Sequence, residues 1–197
     1  MLTKIIATTR EFSGIRHYYS LMRSWLGNGF GIENFQHWLM EYGMGYLETK
    51  QWWMPLSANQ RPYPHEGVDL YSYMAADVSQ VKAGQPIPMI CDGVLAAIHK
   101  DFIGFTFLVR TNITDPNKRT LYLAYAHVAP APDRELTVNT KVYQGDQPLV
   151  IASSQNKCPA HLHLSTFWAK PDFDPLEFDW ATVNENNKIE LVKPVQG

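Results

Sequence analysis

The sequence has few cysteines, little net charge and no long apolar run. Its 17 basic and 19 acidic residues leave a formal net charge of -2, and a chain without a basic excess is not expected to bind nucleic acid. No apolar run reaches the length of a bilayer-spanning helix, so we expect no membrane span. Two cysteines, Cys91 and Cys158, are too few for a disulfide framework. One disulfide or two isolated buried thiols would both fit them.

The composition is that of a protein with a substantial core. Of the 197 residues, 45% are apolar, which fits one domain with an extension. We predict that residues 1–55 form a short α-helical N-terminal extension and that residues 56–197 form the main domain. The sequence does not indicate an oligomeric state.

Two helices are predicted in the extension. The first covers Ile15–Leu26 and stops at Gly27, a residue type that favours helix ends. The second covers Ile32–Tyr42, where four apolar residues repeat at helical spacing, namely Phe35, Trp38, Leu39 and Tyr42. We expect both helices to pack their aromatic faces against the main domain. Alternatively, they form a wall of a substrate groove or an inhibitory segment.

From residue 59 onwards, short runs of β-forming residues alternate with glycine, proline, asparagine and aspartate. This spacing predicts a mainly β fold with a compact antiparallel sheet. The candidate strands are Gly93–Ile98, Phe105–Thr111, Thr120–His127, Pro148–Ser153, Leu162–Trp168 and Lys188–Val192.

A His-x-His motif stands at the start of the strand predicted at Leu162–Trp168. His161 and His163 are two residues apart, so on a strand they share one face, with Cα atoms roughly 6 to 7 Å apart. One imidazole of such a pair can bind a metal while its neighbour hydrogen-bonds to another group held there. The spacing does not tell which histidine has which role.

A second motif, His-x-x-x-Asp, places His65 and Asp69 four residues apart. In a straight strand this separation is about 13 Å, so the backbone must curl if both side chains bind one ion. Pro64 and Gly67 permit such a bend. Two histidines and one aspartate then make a three-ligand zinc set with an open fourth position. The helical His-Glu-x-x-His motif is the rival interpretation, but the proline, the glycine and the final aspartate speak against it.

A third motif places Tyr125 and His127 two residues apart in a strand-like run. We expect these two side chains to face the same side of the sheet, with His127 reaching the metal centre. The three other histidines, His17, His37 and His99, have no such neighbours and are interpreted as structural or solvent-facing.

In chain order, the His-x-x-x-Asp, Tyr-x-His and His-x-His motifs resemble the lysostaphin-type zinc endopeptidases, which cut bacterial peptidoglycan. The runs Val81–Val94 and Val142–Ala152 are similar to further segments of that family, and the resemblance covers about residues 60 to 180. One departure concerns Ser165, which stands where the family commonly has glutamate. No ligand or catalytic histidine of the family pattern is missing.

The resemblance implies roles for five residues. His65, Asp69 and His163 would bind zinc (Zn2+), while His127 and His161 would be the unliganded catalytic histidines. The implied activity is that of a zinc metalloendopeptidase, a hydrolase of peptide bonds in peptidoglycan cross-links or stem peptides.

The resemblance also implies a location in the cell envelope or outside the cell. Residues 1–10 lack the apolar core of a signal peptide, so we expect a leader outside this sequence or another export route.

Two alternatives stay open. The chain could be a non-catalytic scaffold of the peptidase fold that binds a cell-wall peptide or a partner protein. It could also be a structural metal module whose site is closed by a fourth ligand such as Cys158.

Overall fold

The structure is a computed structural model that describes residues 13–31, 37–39, 43–51, 54, 60–73, 81–154 and 158–194. Within these residues the fold is mainly β, as predicted, with one α-helix and ten strands that all pair in antiparallel fashion. The elements are α1 (Ser13–Gly27), β1 (His37–Leu39), β2 (Gly67–Tyr73), β3 (Pro86–Ile87), β4 (Gly93–Lys100), β5 (Phe105–Thr114), β6 (Thr120–Pro130), β7 (Lys141–Val142), β8 (Leu149–Ile151), β9 (Leu162–Ala169) and β10 (Ile189–Val192). Short 3-10 turns cover Gly29–Gly31 and Pro175–Glu177.

The main sheet runs in the order β1-β2-β9-β6-β5-β4-β7. Strand β9 lies inside it, and all eight of its residues are buried. One edge of β9 pairs with β6. The other edge pairs first with β2 and then with β10. The strand that carries the His-x-His motif is therefore held from both sides, which fixes the register of its side chains.

The pleat of the sheet separates two hydrophobic cores. On one face, Leu123 and Tyr125 of β6 pack with Leu164 of β9 in the larger core. On the other face, Ala124 of β6 and Phe167 of β9 belong to a smaller core. The candidate site lies on the second face, next to the smaller core.

Helix α1 covers the larger core. Its residues Tyr18, Met22 and Trp25 are buried there with the strand residues, and the hydroxyl of Tyr18 is 2.7 Å from the hydroxyl of Thr166 in β9. The prediction that the first helix packs its aromatic face against the sheet is confirmed. The division of the chain near residue 55 stays a prediction.

The second predicted helix is wrong over His37–Leu39. These residues form β1 and pair with β2, with Leu39 opposite Tyr71. An isolated short helix is only marginally stable in water. The edge of a sheet offers unpaired backbone groups, and residues 37–39 form hydrogen bonds with β2 there instead of a helix. The rest of that predicted helix, residues 32–36 and 40–42, lies outside the described residues.

The six predicted strands are all found within a few residues of their predicted bounds. The two-residue strands β3 and β7 were not predicted, because runs of that length carry no periodic pattern. Both cysteine thiols are buried and free, which fits the interpretation as isolated thiols. Among the described residues, no helix has the length and hydrophobicity needed to cross a membrane.

Candidate metal centre

Strand pairing places Asp69 of β2 directly opposite His163 of β9, and His163 directly opposite Ala126 of β6. Residues opposite each other in an antiparallel pair share a face. The carboxylate and the imidazole therefore meet on the face with the smaller core, and alanine beside them leaves room above the sheet.

His65 reaches the same point from outside the strand. It precedes β2, and its backbone is held by the preceding loop: its amide donates to the carbonyl of Glu48 at 2.8 Å, and its carbonyl accepts from the amide of Leu47 at 2.8 Å. This anchoring turns the chain so that Nε2 of His65 lies 3.2 Å from Oδ1 of Asp69. The curl that the His-x-x-x-Asp spacing requires is present.

Three side chains thus offer one ligand atom each to a common point. Nε2 of His65 lies 3.0 Å from Nδ1 of His163, and that Nδ1 lies 2.9 Å from Oδ1 of Asp69. The residues are buried, with at most 5% of any of them exposed. In the described part of the chain, these three form the group that could hold a metal ion.

The hydrogen bonds around this group leave lone pairs directed at one another. Nδ1 of His65 lies 2.9 Å from the carbonyl of Gly45. A carbonyl only accepts, so Nδ1 carries a hydrogen, and Nε2 is the ring atom that can offer a lone pair to a metal. That lone pair and the carboxylate of Asp69 both face Nδ1 of His163, which can carry only one hydrogen. A cation satisfies all three atoms, and a set of two imidazoles and one carboxylate fits zinc.

The other carboxylate oxygen of Asp69 is turned away from the histidines. Its Oδ2 lies 3.5 Å from Nη2 of Arg61, and that guanidinium also donates to the carbonyls of Gly43 and Lys50 at 3.2 and 2.9 Å. Arg61 therefore fixes the orientation of the carboxylate and leaves Oδ1 for the metal site. No sequence motif pointed to Arg61, which precedes His65 by four residues.

Burial and neighbouring groups shift the pKa values of two candidate ligands, Asp69 and His163. Burial acts to raise the pKa of Asp69, but the charges of His65 and His161 and hydrogen bonds from His161 and His163 outweigh it and hold the pKa well below its usual range. Burial, aided by the charge of His65, lowers the pKa of His163 to about 4 against the effect of Asp69. A largely neutral His163 at pH 7 is the form that binds metals.

Gly67 makes room for the ligand pair. A Cβ atom on this residue would stand 2.4 Å from the carbonyl oxygen of Leu164 and 2.8 Å from Nε2 of His163. Neither neighbour can retreat, because the first is backbone of the central strand and the second belongs to the candidate metal group. Gly67 therefore allows the close approach of β2 and β9. This role adds to the backbone bend that was predicted for it from the sequence.

His161 lies beside the group without belonging to it. Its Nδ1 donates to the carbonyl of Pro159 at 2.8 Å, and its Nε2 lies 3.5 Å from Oδ1 of Asp69. Burial acts to lower the pKa of His161, but the Asp69 carboxylate raises it to about 10. The sulfur of Cys158 lies 3.8 Å from Nδ1 of His161, on the side of the ring that faces away from Asp69. The structure thus keeps Cys158 outside the group of candidate ligands.

His127 reaches the site by a route that the sequence did not predict. Tyr125 and His127 were expected to face the same side, but Tyr125 is buried in the larger core. Between Phe107↔Tyr125 and Phe105↔Val128 the register shifts by one residue, which is the signature of a β-bulge. His127 sits in this bulge with a φ of 64°, a conformation rare for residues other than glycine. The bulge turns its imidazole to the face of His161 and His163, at ring-centroid distances of 4.8 and 5.8 Å.

An unpredicted carboxylate stands behind His127. Oδ1 of Asp101, in the β4–β5 turn, lies 3.2 Å from Nδ1 of His127, and Oδ2 accepts the backbone amide of His127 at 2.9 Å. Burial acts to raise the pKa of Asp101, but hydrogen bonding and the charge of His127 outweigh it and hold the pKa below its usual range. No sequence motif pointed to this aspartate, because its partner is 26 residues away.

A cleft of about 110 Å³ is lined by Asp69, His127 and His163 and is flanked by aromatic rings. Trp180 packs edge-on against His163, with ring centroids 5.0 Å apart. Phe102 packs edge-on against His127, and 59% of its surface is exposed. Tyr63 donates to Glu185 at 2.7 Å and does not line this cleft, whereas the side chain of Tyr71 lies outside the described ones.

No family model matches the chain, and no curated protein matches it in sequence. Similar solved structures include a zinc-containing peptidase from Vibrio cholerae, with 17% identity and a TM-score of 0.44, and lysostaphin in solution, with 16% identity and a TM-score of 0.45. A third is the catalytic domain of lysostaphin from Staphylococcus simulans, with 18% identity and a TM-score of 0.44.

These matches cover 66%, 74% and 74% of this chain. They span 33% of the Vibrio cholerae peptidase, 51% of the lysostaphin chain in solution and 84% of the catalytic domain.

Proposed function

We propose that this protein is a zinc-dependent endopeptidase that hydrolyses peptide bonds in peptidoglycan cross-links or stem peptides. The observation that carries the proposal is the convergence of three ligand atoms, from His65, Asp69 and His163. Two of these residues, Asp69 and His163, line a cleft. Two further buried histidines stand beside this group. A purely structural metal site has no need of such neighbours.

When bound by His65, Asp69 and His163, zinc supplies Lewis-acid polarisation of the scissile carbonyl and lowers the pKa of water. The chain supplies the proton transfers. His127 and His161 are two buried groups near the ligands that can accept or donate a proton. One takes the proton of the attacking water, and the other donates a hydrogen bond to the oxygen that becomes negative.

The cleft itself favours an extended peptide. Its lining includes the small side chain of Ala126 and the rings of Phe102 and Trp180. We infer that a peptide backbone enters between these two rings. That the peptide comes from peptidoglycan is inferred from the order of the three motifs, and it entails action in the cell envelope or outside the cell.

The test is hydrolysis of purified peptidoglycan by the zinc-loaded chain, measured as the release of new amino termini. We expect release that stops when a chelator removes the metal and returns when zinc is added back. Magnesium added in place of zinc is the matched control and is expected to restore nothing, because imidazole ligands suit zinc and oxygen ligands suit magnesium.

Two results would count against this function. Release that persists after complete removal of the metal would show chemistry independent of the proposed site. Zinc binding without any release would favour the alternative of a non-catalytic scaffold that binds a cell-wall peptide or a partner protein.

A further inference from the structure

Both oxygens of the Asp101 carboxylate accept hydrogen bonds close to His127. Oδ1 accepts the backbone amides of Ile103 and Gly104 at 2.9 and 2.7 Å. Oδ2 accepts the hydroxyl of Thr106 at 3.0 Å and the backbone amide of His127 at 2.9 Å. A carboxylate held by four donors is fixed in position, and its side chain is only 3% exposed.

One of these contacts binds the backbone of His127 at the point where that backbone is strained. His127 has a φ of 64°, and such a conformation persists only where the surroundings hold it. The hydrogen bond from its amide to Asp101 crosses from the β4–β5 turn to the bulge in β6. Asp101 therefore helps to keep His127 turned towards the cleft.

The other contact concerns the ring of His127. Its Nδ1 is buried and lies 3.2 Å from Oδ1 of Asp101, although the contact does not have the geometry of a regular hydrogen bond. Contacts of this kind are often poorly aligned in the free protein and become regular hydrogen bonds when substrate binds. A carboxylate can only accept, so this contact places the hydrogen of the neutral ring on Nδ1. Since the two ring nitrogens point in diverging directions, Nε2 is then directed away from Asp101 with a lone pair.

We propose that Asp101 is a positioning residue that holds His127 in the tautomer with hydrogen on Nδ1 and presents Nε2 to the cleft as the proton acceptor. This inference rests on the proposed function and divides the two histidine roles: His127 accepts the proton of the water, and His161 donates the hydrogen bond to the developing oxyanion. Asp101 touches neither substrate nor metal and acts only through His127.

The first measurement is the tautomer of His127 in the zinc-loaded wild type, read from long-range ¹H–¹⁵N NMR correlations of its imidazole. The His127→Asn variant assigns the signals, because asparagine tolerates a positive φ. We expect hydrogen on Nδ1 and none on Nε2. The opposite tautomer would overturn the proposal, and this result needs no variant of Asp101 to fold.

The second measurement uses Asp101→Asn. We expect a mixture of His127 tautomers, a fall in kcat of about 10- to 100-fold, as for other groups that orient a catalytic-site ligand, and unchanged KM and zinc content. The matched control is Asp115→Asn. Asp115 organises the β5–β6 turn in the same way, through the amides of Asn117 and Arg119, but at the far end of β6, roughly 23 Å along the strand from His127.

The outcomes separate this proposal from the proposed function. Unchanged kcat and an unchanged tautomer in Asp101→Asn would overturn the positioning role, and so would a loss of kcat that comes with loss of zinc. If the wild type cleaves no peptidoglycan peptide, the proposed function fails, whereas the tautomer measurement still decides for or against the control of His127 by Asp101.

Discussion

Replacing His163 with alanine is expected to remove zinc binding and, with it, all peptidoglycan hydrolysis. Nδ1 of His163 lies within 3.0 Å of both other candidate ligand atoms, so its loss leaves only two ligands. Loss of a group that merely orients a ligand already weakens metal affinity about 10- to 100-fold, and we expect loss of a ligand to exceed that range. Zinc content after dialysis, measured by elemental analysis, checks this prediction.

The matched control for His163→Ala is His17→Ala. His17 is an exposed histidine on α1, and we expect its variant to keep one zinc ion per chain and full activity. A thermal melt distinguishes loss of metal from misfolding, because a ligand that binds the native state raises its melting temperature. Zinc should raise the melting temperature of the wild type and of His17→Ala but not that of His163→Ala. His163→Ala that retains tightly bound zinc would disprove the assignment of this ligand.

Replacing His127 with asparagine is expected to abolish most catalysis while leaving zinc in place. His127 lies outside the group of three ligand atoms, but its ring lines the cleft. Removing a general acid or base typically lowers the rate by about 10²- to 10⁴-fold. Asparagine is chosen because the backbone at this position has a φ of 64°, which asparagine tolerates better than alanine. The measurements are kcat for release of amino termini and zinc content of the same sample.

His99→Asn is the control for His127→Asn. Nε2 of His99 donates to the carbonyl of Pro175 at 2.9 Å, on another part of the sheet, and we expect this variant to keep both zinc and activity. If His127→Asn lost zinc together with activity, His127 would be a ligand. If it kept full activity, the roles proposed for the two unliganded histidines would be wrong.

The candidate ligand group could be predicted from the sequence because its members follow simple local rules. His161 and His163 share a face by the two-residue period of a strand, and the distance between His65 and Asp69 demanded a bend. The resemblance of the motifs then separated His161 from His163. In the structure the group of converging ligand atoms includes His163 and not His161, whereas the catalytic role of His161 stays a prediction.

The surroundings of the group could not be predicted, because they depend on contacts distant in sequence. The bulge that turns His127 is visible only in the register of β5 and β6. The rule of alternation predicted that Tyr125 shares a face with His127, whereas Tyr125 is buried in the larger core. Asp101 and Trp180 come from turns that carry no motif. Strand β1 was mistaken for a helix because periodicity describes a segment alone, whereas its partner β2 decides its conformation.

The most direct test of the account is the position of zinc in crystals of the zinc-loaded protein, located by anomalous scattering at the zinc edge. We predict one strong peak between Nε2 of His65, Oδ1 of Asp69 and Nδ1 of His163. A peak in contact with the sulfur of Cys158 would instead support a closed structural site. Absence of zinc from the three-residue group would contradict the central claim and remove the basis for the proposed peptidase chemistry.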